Sequence, residues 1–218
     1  MPNRPDLPRL YAILDADVLA DRALDPLSLL DAWLAAGVRL VQLRAKTLPG
    51  GTFLELARAM ATRVRATGGI FIVNDRPDLA RMAGASGVHV GQDDLGPADV
   101  RAIVGPEAIV GISTHTDEQV EQALQLPVDY LAIGPVFATR TKGPTSDEPV
   151  GLTGVRRASG RARSSGLPLV AIGGIDLAVA RDVLAAGASS VAVISDLVAG
   201  DPVARVRAWQ EAVDVPDP

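Results

Sequence analysis

There is no cysteine anywhere in the 218-residue chain, which excludes disulfide bridges and thiolate metal centres and suits a reducing compartment. Aromatic residues amount to 3% and the formal net charge is −5. Neither a basic stripe nor a set of stacking platforms can be built from that, so nucleic acid is not an expected partner. The overall field does not draw in anionic ligands either, and a few local cations must do so. No apolar run approaches the length of a membrane span, and Met1 to Pro8 holds three prolines in place of the apolar core of a signal peptide. The expected setting is the cytoplasm, with no membrane partner. Histidine occurs only at His89 and His115. No Ser-His-Asp order, nucleotide fingerprint or low-complexity linker is visible, and residues 1–218 read as one domain.

What is present is a repeated alternation. Runs rich in Val, Ile and Leu occupy Leu10–Leu14, Val38–Leu43, Ile70–Val73, Val88–Val90, Ile109–Ile112, Tyr130–Ile133, Leu169–Ile172 and Val191–Ile194. Amphipathic helical patterns lie between or after them, at Pro26–Ala36, Phe53–Ala66, Pro77–Met82, Ala98–Val104, Asp117–Leu126, Val155–Ser164, Leu177–Ala186 and Val203–Val213. Strands alternating with helices imply a parallel sheet, and eight such units close most economically as an α/β fold of the (β/α)8 type, a TIM barrel. With 48% apolar residues the chain can fill such a core. In this architecture the active site sits at the C-terminal rim of the strands.

The segments just past those strand ends are polar or glycine-rich. After the second run, Gln42, Arg44 and Lys46 alternate with Leu43 and Ala45, and a period of two puts the three polar groups on one face. Two cations and an amide converging there fit a diphosphate, Arg as a planar fork and Lys as a point charge, and they equally fit ordinary surface charges at a strand end. Asp75 and Asp94 follow adjacent strands, so their carboxylates can meet and hold Mg²⁺, which takes one or two carboxylates and completes its shell with water and phosphate oxygens. Asp93 is the rival ligand, or a cap for the helix beginning near Gly96. Gly173-Gly174 and Ile194-Ser195 end the last two runs, where these barrels recurrently bind phosphate. The connection from Gly134 to Gly151, about 18 residues, is longer than most structureless loops and is a candidate lid. His89 reads as a hydrogen-bonded barrel residue, and His115 as a supporting residue near Ser113.

Taken in order, Gln42-Leu43-Arg44-Ala45-Lys46, Ile72-Val73-Asn74-Asp75-Arg76, Gly87 through Asp94, Gly134 through Lys142 and Val170 through Ile175 closely resemble the thiamine-phosphate synthase family over nearly the whole chain. That family joins 4-amino-2-methyl-5-(diphosphooxymethyl)pyrimidine to 4-methyl-5-(2-phosphooxyethyl)thiazole, giving thiamine phosphate and diphosphate. The resemblance implies that Gln42, Leu43, Arg44, Ala45, Lys46, Asn74, Ser113 and Lys142 hold the pyrimidine diphosphate. By the same resemblance Asp75 and Asp94 ligate Mg²⁺, while Thr139, Arg140, Thr141, Gly174, Ile194 and Ser195 hold the thiazole phosphate. Arg44, Lys46, Ser113 and Lys142 would carry the catalysis, a dissociative loss of diphosphate followed by capture of the cation by the thiazole nitrogen. Two departures stand out: Ala45 replaces a frequent acid, and Asp196 follows Ser195 where a small residue is common, so its side chain should point away from the phosphate. The competing readings are a thiazole tautomerase-like isomerase and a non-catalytic phosphate-ligand sensor on the same barrel.

Overall fold

A computed structural model describes residues 5–139 and 148–214. Its strands are β1 (Leu10–Asp15), β2 (Leu40–Arg44), β3 (Ile70–Asn74), β4 (Gly87–Val90), β5 (Ile109–Thr114), β6 (Tyr130–Ile133), β7 (Leu169–Ile172) and β8 (Ser190–Val193). Each pairs in parallel with the next, and β1 pairs with β8 through Leu10↔Val191 and Ala12↔Val193, so the sheet closes into the expected barrel. The helices are α1 (Ala16–Asp21), α2 (Pro26–Ala35), α3 (Gly50–Ala66), α4 (Pro77–Ala83), α5 (Pro97–Val104), α6 (Asp117–Ala123), α7 (Gly151–Ser164), α8 (Ala180–Ala185) and α9 (Pro202–Val213). A 3₁₀ turn, Ser195–Val198, follows β8.

Local chemistry sets the boundaries. Asp25 and Asp201 each accept hydrogen bonds from backbone amides of the helix that follows, with proline at the first helical position, so α2 and α9 start sharply. Val38 does not open β2. Gly37 adopts φ 100° and the Val38 amide donates to the Trp33 carbonyl at 3.0 Å, closing the end of α2. The helix expected from Leu177 begins only at Ala180, because the Asp176 side chain first binds the amides of Ala178 and Val179 in a turn of its own.

Alternation along the strands then sorts side chains into two cores. One set, including Leu14, Val41, Leu43, Val73, Val88, Ile112 and Val191, packs outward against Trp33, Met60, Trp209 and the other helical apolar residues. The other set, Tyr11, Ile13, Leu40, Ile72, Tyr130, Ala132, Val170, Ala192 and Ile194, fills the barrel. Burying each large side chain of the outer set stabilises the fold by roughly 1.5–3 kcal/mol, which is what holds the helices to the sheet. The inner set is mixed with polar groups, and these rise toward the site.

Candidate active site

The strand C-terminal ends surround a cleft of about 1060 Å³. Of the residues expected there, Arg44, Lys46, Asn74, Asp75, Asp94, Ser113, Thr139, Gly174, Ile194 and Ser195 all line it. Gln42 does not. It is buried below the floor, its amide donating to the Tyr11 hydroxyl at 2.7 Å. Leu43 and Ala45 face the outer core, so any contact of theirs with a ligand runs through backbone. Arg140, Thr141 and Lys142, and with them residues 140–147 of the candidate lid, lie outside the described residues.

Two acidic residues of the β1–α1 junction hold the cationic segment in place. Asp15, fully buried, pairs through Oδ2 with Arg44 at 2.5 Å, while its Oδ1 caps α1 through the amides of Asp17 and Val18. A guanidinium at that depth is retained because its counter-charge is built in. Asp17 in turn accepts from the Lys46 amide at 3.1 Å and from the Thr47 hydroxyl. Sequence reading missed both aspartates. The available signal was Asp15 itself, an acid directly ending an apolar strand, in the same position as the other rim residues.

Opposite Lys46 sit the two acids. The Lys46 ammonium pairs with Asp75, and the carboxyls of Asp75 and Asp94 meet. Burial, together with the neighbouring Asp94, holds Asp75 above the usual carboxylate range even though Lys46 acts in the other direction. Asp75 also adopts φ 62°, a conformation that Asp and Asn tolerate best among residues with a side chain, and its amide is anchored to the His89 carbonyl at 2.8 Å. Asp94 accepts from the Gly91 amide at 2.8 Å. Two carboxyl groups pressed together in a cleft, where burial and their mutual repulsion work against the ionised pair, suit a hard divalent cation such as Mg²⁺. Asp93 lines the cleft but does not cap α5, whose cap residue is Gly96 with no side-chain bond. Asn74 is buried at the base of this half.

The far side of the cleft is built differently. The amides of Val136 and Phe137 donate to the carbonyls of Ile172 and Gly173, both at 2.9 Å, zipping the loops after β6 and β7 together. Gly174 has φ 67°, and a β-carbon on it would lie 2.7 Å from the Phe137 carbonyl oxygen and 2.8 Å from that of Ala138. Only glycine allows that approach. His115 Nδ1–H donates to the Gly134 carbonyl at 2.6 Å, fastening the same loop to β5. Asp196 lines the edge of the cleft, but its carboxylate is held by α9, where Arg205 grips both its oxygens and the Trp209 indole donates to it at 2.7 Å. As expected from its position, its charge is neutralised away from Ser195. A separate depression of about 560 Å³ between Arg156, Arg163 and Ala186 flanks the C-terminal half of α7, away from the rim.

Comparison with known proteins agrees with this geometry. The family model described as thiamine monophosphate synthase matches residues 10–197. A thiamine-phosphate synthase of Koribacter versatilis is 46% identical over 205 residues, covering 91% of this chain and 92% of its own. Another, of Moorella thermoacetica, is 42% identical over 205 residues and covers 94% and 95%. Among solved structures, thiamine phosphate pyrophosphorylase of Pyrococcus furiosus superposes with a TM-score of 0.83 at 28% identity, covering 94% of this chain and 95% of that one. The chain is therefore an enzyme of the thiamine monophosphate synthase family.

Proposed function

We propose that the enzyme condenses 4-amino-2-methyl-5-(diphosphooxymethyl)pyrimidine with 4-methyl-5-(2-phosphooxyethyl)thiazole, releasing diphosphate and forming thiamine phosphate. The observation that carries the reading is the meeting of Arg44, Lys46, Asp75 and Asp94 on one wall of the cleft, opposite a wall of glycine and backbone. Arg44, Lys46, Asn74 and Ser113, with Lys142, bind the diphosphate and hold it as its bond to the pyrimidine methylene lengthens. Charge-assisted hydrogen bonds from these donors strengthen as negative charge collects on the leaving oxygens, which lowers the barrier selectively. Asp75 and Asp94 would hold Mg²⁺, which supplies charge neutralisation for the diphosphate when bound. Thr139, Gly174, Ile194 and Ser195, with Arg140 and Thr141, seat the thiazole phosphate. The ring nitrogen then faces the pyrimidine methylene and captures it as the diphosphate departs. No general base is required, since the thiazole nitrogen attacks without losing a proton. A cytoplasmic location belongs to the same reading, supported by the lack of cysteine; among the described residues no helix is long and apolar enough to cross a membrane.

The deciding experiment supplies both substrates with Mg²⁺ and follows thiamine phosphate and diphosphate by chromatography. Equimolar appearance of the two is expected. Binding of both substrates without product would overturn the proposal.

A further inference from the structure

Five polar side chains inside the barrel join end to end. Gln42 Nε2 donates to Tyr11 Oη at 2.7 Å, and the Tyr11 and Tyr130 hydroxyls meet at 3.1 Å. The Tyr130 hydroxyl meets His89 Nδ1 at 2.9 Å, and His89 Nε2 meets Ser113 Oγ at 2.8 Å. Register explains how strands so far apart are bridged. His89 on β4 is level with Gly111 on β5, which is level with Tyr130 on β6. A β-carbon on Gly111 would lie 2.0 Å from the Tyr130 ring, so its absence lets that ring lie across β5 and stack on His89, with centroids 5.5 Å apart and planes at 20°.

The chain has a direction. An amide nitrogen offers no lone pair, so Tyr11 Oη accepts from Gln42, and only when its single proton goes on to Tyr130 does each phenol hydrogen find a partner within the chain. Tyr130 then passes its proton to His89 Nδ1, which leaves the imidazole hydrogen on Nε2, aimed at Ser113 Oγ. Burial pushes both phenols well above their ordinary range, so neither loses the proton it donates. With its oxygen occupied as an acceptor, Ser113 turns its own hydrogen to the cleft.

We propose that His89 and Tyr130 are positioning residues that fix Ser113 as a one-way hydrogen-bond donor toward an anionic oxygen of the bound ligand. Naming that oxygen as one of the pyrimidine diphosphate rests on the function proposed above. The direction of the chain does not.

Two experiments separate those layers. In ligand-free, 15N-labelled protein at a pH where imidazole is neutral, correlation spectra of the two histidine rings report which nitrogen carries hydrogen. His89 is expected to carry it on Nε2 and His115, which donates from Nδ1 to the Gly134 carbonyl, on Nδ1; His89→Gln assigns the signals. Hydrogen on His89 Nδ1 overturns the proposal whatever the enzyme's substrates. In turnover, Tyr130→Phe is expected to mix the His89 tautomers and lower kcat/KM for the pyrimidine diphosphate about tenfold to a hundredfold. KM for the thiazole phosphate should hold. His89→Gln, which keeps an acceptor toward Tyr130 and a donor toward Ser113, should retain more activity than His89→Leu. Equal activity in those two variants, or a drop in thermal stability with kcat and both KM values preserved, would show a purely structural chain and overturn the assignment. Absence of thiamine phosphate with unaltered protein, alongside the expected tautomers, would instead sink only the proposed function.

Discussion

The two walls of the cleft are made from different materials. The wall after β1 to β4 is side chain: Asp15 holds Arg44, Asp17 holds the Lys46 segment, Lys46 meets Asp75, and Asp75 meets Asp94. The wall after β6 to β8 is backbone, zipped by amide-to-carbonyl bonds and brought close by Gly173 and Gly174. The first wall is therefore vulnerable to the removal of a charge, the second to the addition of atoms. Cationic side chains suit the more highly charged group, a diphosphate, whereas amides and hydroxyls suffice for a monophosphate.

The strongest strain on that contrast is Asp15→Ala. Removing one member of a buried ion pair leaves Arg44 uncompensated and should destabilise the fold by about 3–5 kcal/mol, with the loss of the α1 cap included in the observed change. In whatever folds, affinity for the pyrimidine diphosphate should fall and that for the thiazole phosphate should not. Calorimetric titration of both ligands decides it, and parallel losses would erase the division between the walls.

Next in size is Asp94→Asn. A direct metal ligand should matter at least as much as an outer-shell partner, whose loss costs roughly 10–100-fold, so turnover at ordinary Mg²⁺ should drop by that or more and recover partly at high Mg²⁺. Undiminished turnover would remove the metal from this wall. On the other wall, Gly174→Ala forces a β-carbon against two carbonyl oxygens in a left-handed conformation, an overpacking of about 1–3 kcal/mol. It should loosen thiazole phosphate binding and lower Tm modestly, and a variant indistinguishable from wild type in both would show that the loops after β6 and β7 yield without consequence.

The smallest expected effect concerns pH. Asp75 is held above the ordinary carboxylate range, so between that range and its folded value the native state keeps a proton that the unfolded chain releases, and stability falls as pH rises through the window. Asp75→Asn, which tolerates the same φ, removes that fall. The variant should gain on wild type in Tm as pH climbs from about 4 toward neutrality. A gain that does not change with pH would mean that Asp75 is not strained by its charge.

Much of this was legible beforehand for a physical reason. Inward and outward faces alternate so strictly that strand boundaries fell within one or two residues, and the rim residues followed from them. Two things were hidden. The helix Ala16–Asp21 follows β1 with no glycine or proline to mark the break; the break is made by the Asp15 side chain turning back to cap it. And a shared face does not mean a shared depth. Gln42 and Arg44 both point inward, yet one step down the strand is enough to put Gln42 beneath the cleft, against Tyr11. The only tyrosines in the chain, Tyr11 and Tyr130, stood at inward positions of their strands, a hint that a composition poor in aromatics made easy to overlook.

Closure of the barrel has a consequence for biosynthesis. The ring is sealed where β1 pairs with β8, and beside that seam the Ser190 hydroxyl donates to the Arg9 carbonyl 181 residues away, so a nascent chain emerging from the ribosome carries two unpaired strand edges until β8 appears. Long-range parallel pairing of this sort is slow, and open edges invite other chains. The α9 helix that follows packs back onto α2 and β1, latching the seam from the outside. The helix synthesised after β8 is thus the one that ends the period of exposure.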